Sequence, residues 1–481
     1  MELPVEFSIY TRHLLGERAY EELVESLASV PSVSIRINPA KWHQPLPQKW
    51  ERVPWSGVGY YLPERPHFTL DPLFHAGAYY VQEASSMFVE QVLRTFVTRQ
   101  CAMLDLCAAP GGKSTLARSV LPEGSLLVSN EIVRSRAQVL AENIIKWGHP
   151  STVVTCNAPA DFSALEECFD VILADVPCSG EGMFRKDEAS IAEWSSGNVD
   201  ACWRRQRGIV VDVWPCLKPG GIFIYSTCTY NALENEENVR WIVREYGAEV
   251  LEVPVSPEWG IRGALTDVGF PVYRFFPSCV RGEGFFLAVL RKPSNCSTSG
   301  KIAFETVVQK QVESKKEKKS GRHARKGKMG VPVVPEECRQ WLVGADNYHW
   351  QVDEGTLYAF PKEWEGMLSL LKERLYLLHA GIEVAALKGH DWTPAHPLAM
   401  STELLREKFQ MAEVSCDEAL AYLRRESVVP DGDLSRGFIL LTHRGLPLGF
   451  VKHIGNRSNN LYPNEWRIRS SYGKGEVVME G

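Results

Sequence analysis

Short apolar runs alternate with amphipathic stretches between residues 100 and 290 of the chain. Each run is brief and bounded by polar or glycine-rich residues, which predicts a buried strand; the runs are CAMLDLC, SLLVSNE, STVVTCN, DVILADV, GIFIYST and GFFLAVL. The stretches between them have apolar residues at helical spacing, as in RAQVLAENIIKWG, WRRQRGIVVDVWPCL and NEENVRWIVREYG. Strands and helices that alternate in this way form a mostly parallel sheet with helices on both faces. We therefore expect an α/β fold here.

Two regions with a different pattern flank the α/β region. On the amino-terminal side, EELVESL has helical spacing and SVSIRIN reads as a strand, which predicts a small α+β domain. On the carboxyl-terminal side, LYAFP, FILLTH and LGFVKHI are short apolar runs with polar turns between them, which predicts a β-rich module. The expected division is an α+β domain at 1–75, the α/β domain at 76–293, a linker at 294–335, a small connecting domain at 336–400 and the β-rich domain at 401–481.

The linker is predicted from its charge. The whole chain has a net charge of −6, yet nine lysines and arginines face only two glutamates in the 19 residues from Lys310 to Lys328. A segment this charged, with so few apolar side chains, cannot bury enough surface to fold alone, so we expect it to be disordered. It is either a tether that binds the phosphates of RNA or DNA, or a plain solvated spacer.

Composition excludes several classes of protein. The 481 residues are 44% apolar, which suits a globular protein of two to four domains. No apolar run approaches the ~18 residues of a membrane span, and the first residues lack the apolar core of a secretory signal. Twelve cysteines without any Cys-x-x-Cys pair argue against a disulfide scaffold and against structural zinc. We expect a cytoplasmic monomer with reduced thiols, no membrane contact and no metal site.

A glycine turn follows the first strand of the α/β region, in the segment DLCAAPGGKS at 105–114. A phosphate-binding P-loop would need glycine at position 107, which is Cys107, and the Gly-x-Gly-x-x-Gly fingerprint of dinucleotide sites is absent. S-adenosylmethionine remains as a ligand, because it carries no pyrophosphate. The second strand ends at Glu131, where doubly wound folds place the carboxylate that hydrogen-bonds a ribose. The alternative is a simple strand-to-helix turn.

Two cysteines follow two further strands, Cys178 in the segment Asp-Val-Pro-Cys-Ser-Gly and Cys228 in Thr-Cys-Thr-Tyr. Both lie just past the carboxyl end of a strand, where open α/β sheets bind their ligands. Most cysteines are small, buried and inert. We expect that for Cys101, Cys156, Cys168, Cys202 and Cys216, whereas Cys178 and Cys228 lie in polar turns on the ligand edge.

Two thiols beside a methyl donor suit the methylation of a pyrimidine at C5. A thiolate that adds to C6 makes C5 nucleophilic, and a second group must then help to release the enzyme. Asp175 is placed to accept a hydrogen bond from the exocyclic amine of cytosine. Lys113, Arg185 and Lys186 are candidates for the positive charge that favours a thiolate. An adenine-N6 enzyme would instead show Asn/Asp-Pro-Pro-aromatic after the fourth strand. These residues alone do not say which thiol attacks.

The chain resembles the RNA (cytosine-C5) methyltransferases of the NOP2/Sun family. The segments with the resemblance, in family order, are SIRINP (34–39), YVQEASSM (80–87), DLCAAPGGKS (105–114), DVPCSGEGMFRKD (175–187), LKPGGIFIYSTCTYNALENEENV (217–239) and RGEGFFLAVL (281–290). They span nearly all of 1–293, and Pro-Cys-Ser-Gly together with Thr-Cys-Thr is highly specific. The resemblance implies a class I, Rossmann-like, S-adenosylmethionine-dependent methyltransferase core.

The resemblance also implies a role for each site residue. Cys228 would be the nucleophile and Cys178 would serve the release step, with Asp175 beside them. The implied donor contacts are Cys107, Ala108, Ala109, Pro110, Gly111, Gly112, Lys113, Glu131, Asp175 and, after the third strand, Asn157. Relatives often have aspartate at the position of Asn157, and Pro277-Ser278 replaces a common Pro-His. The asparagine can still hydrogen-bond an adenine.

The carboxyl-terminal half resembles one branch, the bacterial F-type small-subunit ribosomal RNA methyltransferases, at GHDWTPAHPLA (389–399) and in the run 445–469. That resemblance implies a PUA-like β-barrel that helps to hold RNA. The side chains we expect to supply phosphate and stacking contacts are Lys452, His453, Arg457, Asn459 and Tyr462. The alternative is an ordinary surface of β-turns.

The leading hypothesis is methylation of C5 of a cytosine in 16S ribosomal RNA, on naked RNA or on an assembled 30S subunit. One alternative keeps the chemistry and changes the substrate to transfer RNA. Another is a non-catalytic RNA-binding factor of ribosome assembly, against which both intact thiols argue. A DNA cytosine methyltransferase would have its nucleophile in the Pro-Cys segment and no thiol at Thr-Cys-Thr.

Overall fold

The computed structural model describes residues 2–294, 334–430, 432, 434–469 and 478–479. Almost all of the segment expected to be a linker, 294–335, lies outside these residues. The amino-terminal region contains helices α1 (Val5–Leu15), α2 (Glu17–Leu27), α3 (Pro72–His75) and α4 (Val89–Phe96). Its strands are β1 (Val33–Ile37), β2 (Glu51–Arg52), β3 (Gly59–Leu62) and β4 (Tyr79–Val81), and they form an antiparallel sheet of order β2-β3-β1-β4.

The central sheet is built from the apolar runs of the α/β region. Its strands are β5 (Ala102–Asp105), β6 (Leu126–Asn130), β7 (Thr152–Thr155), β8 (Phe169–Asp175), β9 (Leu217–Thr227), β10 (Glu249–Val250), β11 (Tyr273–Phe275) and β12 (Phe285–Arg291). Strands β7, β6, β5, β8 and β9 are parallel and adjacent in that order, and β12 pairs antiparallel with β9. The α/β prediction is confirmed.

Helices cover both faces of the central sheet: α5 (Gly112–Val120), α6 (Arg134–Trp147), α7 (Glu188–Glu193), α8 (Ser196–Val213) and α9 (Glu236–Tyr246). Helix α8 begins after Ser195, whose hydroxyl accepts a hydrogen bond from the Asn198 amide at 3.1 Å. Helix α6 ends at Gly148, which adopts the left-handed conformation that favours glycine at this position. Alternate residues of each strand face opposite helical layers, so Leu104 and Met103 belong to two different cores.

The carboxyl-terminal half contributes two more sheets and one strand to the central sheet. Its strands are β13 (Tyr348–Asp353), β14 (Thr356–Pro361), β15 (Leu377–Ala380), β16 (Ile382–Lys388), β17 (Asp391–Pro394), β18 (Gln410–Glu413), β19 (Gly437–His443), β20 (Leu446–His453) and β21 (Ser458–Asn460). The helices are α10 (Glu336–Arg339), α11 (Glu365–Arg374), α12 (His396–Met400) and α13 (Cys416–Leu423). Strand β15 pairs antiparallel with β7, and α11 packs on the same core as the central sheet.

Sheet β18-β19-β20-β21 shares a core with the amino-terminal sheet. Ile35 and Ile37 of β1 belong to the same apolar cluster as Leu420 of α13 and Leu441 of β19. The two ends of the chain therefore pack against each other beside the central sheet. Among the described helices, none combines the length and the apolar character that crossing a membrane requires.

Candidate functional site

The polar segments singled out in the sequence meet at one edge of the central sheet. Strands β5, β6, β7, β8 and β9 are parallel, so their carboxyl ends lie side by side. This is the edge at which open α/β sheets bind ligands. It holds the glycine turn after β5, Glu131 after β6, Asn157 after β7, Asp175 at the end of β8 and Cys228 after β9.

The two predicted cysteines are in contact. Strands β8 and β9 pair with Asp175 opposite Ser226, so the turns that follow them start level with each other. The Sγ atoms of Cys178 and Cys228 lie 3.1 Å apart, and the Cys228 amide donates a hydrogen bond to the Cys178 sulfur at 3.3 Å. The hydrogen bond with Cys228, followed by burial, raises the pKa of the Cys178 thiol well above its usual value. The contact with Cys228 and burial thus both favour the protonated thiol at Cys178.

Asp175 joins the thiol pair to the glycine turn. Its Oδ2 atom accepts from the Lys113 ammonium at 2.7 Å, and its Oδ1 atom accepts from the Ser226 hydroxyl at 2.7 Å. Burial lowers the pKa of Lys113, but Asp175 more than offsets this, so that the pKa is raised and the ammonium stays charged. Lys113 also lies near enough to Cys228 for their charges to interact. That Lys113 favours a thiolate stays a prediction.

The other two predicted cations have a different role. Arg185 and Lys186 both pair with Glu283, at 2.9 Å and 3.2 Å. Arg185 also donates to the Gly282 carbonyl at 2.8 Å, so it ties the segment after Cys178 to the loop before β12. Both side chains are thus bound to a carboxylate, and their influence on the thiols stays a prediction.

A buried carboxylate supports the Cys178 turn, and sequence analysis missed it. Glu234 accepts hydrogen bonds from the Ser179 amide at 3.1 Å, from Gln206 at 2.6 Å and from Asn231 at 2.7 Å. Burial raises the pKa of Glu234 to about 7. The signal in the sequence was the polar run that follows Cys228, in which most side chains from 229 to 236 are buried. Buried polar side chains in a loop need partners, and these partners fix the turn.

Glu181 supports the Cys228 turn in a similar way. Its carboxylate accepts from the backbone amides of Tyr230 at 2.7 Å and Asn231 at 2.9 Å, and from the Trp194 indole at 3.0 Å. The loop also approaches Gly182 closely, because a Cβ atom there would lie 2.8 Å from the Cys228 carbonyl oxygen. Both sulfurs therefore sit on turns that are held from behind by buried carboxylates.

The glycine turn has an open hydrogen-bonding position. Gly111 adopts φ +115°, in the left-handed region, and α5 starts directly after it. Behind the turn, Asp105 accepts from the Ser114 hydroxyl at 2.6 Å through Oδ2, while its buried Oδ1 atom has no partner among the described residues. Burial raises the pKa of Asp105 to about 7. Asp105 opens the DLCAAPGGKS segment but was not among the expected contacts.

Glu131 and Asn157 are both bonded within the chain, but to different partners. Glu131 accepts from the Val133 amide at 2.9 Å and lies 3.4 Å from Arg136, at the edge where a ribose contact is expected. The Asn157 side chain, by contrast, donates to the Tyr376 carbonyl at 3.0 Å and accepts from the Tyr376 amide at 2.9 Å. The Tyr376 backbone thus uses one donor and one acceptor position of the Asn157 amide, and the contact of Asn157 with an adenine stays a prediction.

Some of the side chains that we expected to contact RNA in the carboxyl-terminal module are buried and others are exposed. Arg457 and Asn459 are exposed and Lys452 is half-buried. Tyr462 is fully buried between His396 and Tyr422, and His453 is buried against Ser458. Stacking on RNA by Tyr462 and His453 is therefore a wrong expectation, because both rings belong to the core.

Three family models match the chain. Residues 96–291 match the model of the 16S rRNA methyltransferase RsmB/F, residues 3–84 that of the N-terminal domain of 16S rRNA methyltransferase RsmF, and residues 410–468 that of the methyltransferase RsmF PUA domain. Together they extend from the amino-terminal helices to the sheet that contains β19 and β20.

Similar proteins cover nearly the full length. The ribosomal RNA small subunit methyltransferase F of Salmonella agona (strain SL483) is 30% identical over 470 residues, 93% of this chain and 92% of that protein. Its counterpart in Aliivibrio fischeri (strain MJ11) is 31% identical over 90% of each chain. A crystal structure of a methyltransferase homolog from Pyrococcus horikoshii is 26% identical, with a TM-score of 0.52 over 60% of this chain and 94% of that one.

The structural likeness covers 60% of this chain, whereas the sequence matches extend through both regions that flank the α/β domain. Matches at this identity over this length show common descent and not only a common fold. The chain therefore belongs to the ribosomal RNA small subunit methyltransferase F family.

Proposed function

We propose that this chain transfers a methyl group from S-adenosylmethionine to C5 of a cytosine in 16S ribosomal RNA, through a covalent bond between Cys228 and C6. The observation that supports this most is the pair of sulfurs 3.1 Å apart at the ligand edge, beside Asp175 and Lys113. One sulfur alone would serve many reactions. Two sulfurs in contact suit a reaction in which one thiol attacks and a second takes part in release.

The residues around the glycine turn fit the methyl donor. Asp105 lies behind the turn and its negative charge would favour a nearby ammonium group, and the Glu131 carboxylate can accept from ribose hydroxyls. Gly111 and Gly112 let a ligand approach the start of α5 closely, since neither has a side chain. When bound, S-adenosylmethionine would supply an electrophilic methyl group on a sulfonium.

The first step uses Cys228 as the attacking thiolate. The thiol of Cys178 keeps its proton and can donate it in a hydrogen bond to the Cys228 sulfur, which stabilises negative charge there. The Lys113 ammonium adds a positive charge nearby. The Cys228 sulfur then adds to C6 of the cytosine, the C5–C6 double bond opens, and C5 gains the electron pair with which it takes the methyl group. The bond between the methyl group and the sulfonium would break, and S-adenosylhomocysteine would leave with its electrons.

The release step follows from the same contact. Once Cys228 is bonded to carbon, it no longer carries the charge that helps to keep the proton on Cys178. Cys178 can then lose its proton to solvent and accept the proton from C5. The electrons of the C5–H bond re-form the C5–C6 double bond, and the Cys228–C6 bond breaks to return a thiolate.

Asp175 would hold the cytosine in place. Its side chain is 27% exposed although it already binds Lys113 and Ser226, so a lone pair remains accessible from the edge. A carboxylate is the natural acceptor for the N4 amino group of cytosine. The base must leave any helix to reach this site, so we expect an unpaired or flipped nucleotide.

The two thiols are tested by separate substitutions. Cys228→Ala should lose activity and never form a covalent complex with RNA, because the attacking sulfur is gone. Cys178→Ala should still attack and transfer the methyl group, then stall as a protein–RNA adduct. Each variant is incubated with donor and with 16S rRNA, free or in small subunits, and run on a denaturing gel. Cys216→Ala, a buried cysteine away from the edge, should behave as wild type.

The gel separates the proposal from its alternatives. A slow band with Cys228→Ala and none with Cys178→Ala would reverse the two roles. No band with either variant, together with full methylation by both, would contradict covalent catalysis. A transfer RNA transcript in a parallel lane tests the other substrate, and a wild-type protein that methylates neither RNA would favour a non-catalytic assembly factor.

A further inference from the structure

The donor side of the ligand edge is closed by a segment from the carboxyl-terminal half. Strand β15 pairs antiparallel with β7, and Leu377 lies opposite Thr155. Because the pairing is antiparallel, β15 starts where β7 ends. The residue before it, Tyr376, is therefore delivered to the ligand edge from a position far along the chain.

Three hydrogen bonds hold the backbone of Tyr376 at this position. The Cys156 backbone amide and the Asn157 side chain both donate to the Tyr376 carbonyl, each at 3.0 Å. The Tyr376 amide donates to the side-chain oxygen Oδ1 of Asn157 at 2.9 Å. The side chain of Asn157 thus holds the backbone of Tyr376 in place. The Tyr376 residue itself stays 52% exposed, with the Arg134 guanidinium 5.7 Å from the ring centre.

Other apolar side chains are exposed in the segment that follows β6. Ile132 is 59% exposed and Val133 is 44% exposed, and both directly follow Glu131. Asn157 connects the end of β6 with Tyr376, because its backbone N–H and carbonyl groups both bond the side chain of Asn130 at 3.0 Å. Large apolar side chains left open at a ligand edge mark a binding surface more often than a random patch.

We propose that Tyr376 forms a wall of the pocket for the purine ring of the methyl donor, and that Asn157 is the positioning residue that holds it there. This rests on the proposed function, since it assumes a donor whose ribose binds Glu131. A flat apolar ring beyond that ribose would meet Ile132, Val133 and Tyr376. Aromatic side chains stack well on purines. The donor site is thus completed by the half of the chain beyond residue 335.

The proposal is tested by calorimetry of S-adenosylhomocysteine on the full chain. Stacking of a base on an aromatic side chain corresponds to roughly a 5- to 150-fold change in affinity, so Tyr376→Ala should weaken binding at least about fivefold. Tyr376→Phe should bind as wild type, because the ring is retained. Tyr358→Ala, on strand β14 away from the edge, is the matched control and should leave affinity unchanged.

Kinetics and a double-mutant cycle distinguish a pocket wall from a structural contact. Tyr376→Ala should raise the donor KM while kcat at saturating donor stays near the wild-type value. Asn157→Ala should also weaken binding, and adding Tyr376→Ala to it should cost much less than in wild type, because the ring is already misplaced. Fully additive losses would remove Asn157 as the positioning residue.

Failure of this inference and failure of the proposed function give different results. Wild-type affinity in Tyr376→Ala, in a chain that binds S-adenosylhomocysteine, would overturn only the role of Tyr376. A wild-type chain that binds no S-adenosylhomocysteine would overturn the use of S-adenosylmethionine, and the inference with it.

Discussion

Two buried carboxylates behind the turns of the site should make the stability of the protein depend on pH. Glu234 and Asp105 are both buried carboxylates whose pKa is raised to about 7, one behind the Cys178 turn and the other behind the glycine turn. Both are held by hydrogen-bond donors instead of by a cation within salt-bridge distance. Carboxylates in this state favour the protonated form, because burial penalises the charge.

We expect Glu234 to make the protein less stable as the pH rises. Its pKa in the folded chain is raised from 4.5 to about 7, so folding binds a proton between these values. This contribution is fully present below about pH 4.5 and is lost as the pH rises through about 7. Urea unfolding measures the free energy of unfolding from pH 5 to 8. Over this range the wild type should lose up to about 3 kcal/mol more than Glu234→Gln does, so the variant should have the flatter profile.

Glu418→Gln is the control for this profile. Its hydrogen bonds to Ser415 lower the pKa of Glu418, so it titrates below the pH range of the experiment. The two profiles, wild type and control, should run parallel. Equal slopes for wild type and Glu234→Gln would mean that Glu234 is charged throughout.

At the scale of elements, one arginine joins the amino-terminal sheet to the methyltransferase sheet. Arg36 of β1 is fully buried and donates to Gln82 at 2.9 Å and to Thr115 of α5 at 2.5 Å. Its guanidinium also lies 4.4 Å from the ring centre of Trp147, the last residue of α6. One side chain thus connects the amino-terminal sheet to both helices next to the donor turn.

Removal of this arginine should destabilise the protein strongly. Arg36→Ala leaves a cavity and several unpaired buried groups, so we expect a loss of about 2–5 kcal/mol in the free energy of unfolding. Arg36→Lys should also be destabilising, because an ammonium cannot reproduce the planar set of donors. Urea unfolding measures both, with the exposed Arg18→Ala expected within about 0.5 kcal/mol of wild type. A wild-type midpoint for Arg36→Ala would contradict this role.

Elements with strong local patterns were predictable, and those that depend on distant partners were not. The run DVILADV lies largely in β8, because a short, mostly apolar run between polar turns favours a buried strand. Cys178 and Cys228 could be paired from sequence because strand order places both turns on one edge. Strand β15 gave no such signal: Leu377–Ala380 is short, and its partner β7 lies more than 200 residues earlier.

The same reason explains which site residues were missed. Glu234 and Asp105 matter through the groups that surround them, and burial of that kind cannot be read from neighbours in sequence. The bond between Asn157 and Tyr376 could not be predicted, because Tyr376 comes from the carboxyl-terminal half. Tyr462 was expected on the surface, since the turns around it are polar, yet it packs against Tyr422 in a shared core.

At the scale of the whole molecule, charge is unevenly distributed. The net charge of −6 hides the basic segment from Lys310 to Lys328, which lies outside the described residues. A polyanionic substrate would meet an acidic protein with one strongly basic stretch. Any contribution of that stretch to RNA binding must depend on salt, because it acts by releasing counterions.

Neutralising part of this segment should change the salt dependence of RNA binding. Replacement of Lys315, Lys316, Lys318 and Lys319 by glutamine should reduce the log–log slope by about 0.7–0.9 for each lost phosphate contact. Replacement of the same four by arginine keeps the charge and is the control. Filter binding from 50 to 300 mM salt measures the slope. An unchanged slope in the glutamine variant would leave the segment a plain spacer.

The pairing of β15 with β7 also matters while the chain is being made. Strand β7 ends at Thr155 and its outer partner ends at Ala380, so 225 more residues must be synthesised before the edge can be covered. At about 5–20 residues per second, a ribosome needs roughly 10–45 seconds for that distance. Throughout this time the nascent sheet has an open apolar edge, the kind that pairs with other chains. The edge at β7 is therefore open to wrong pairing for longest while the chain is being translated.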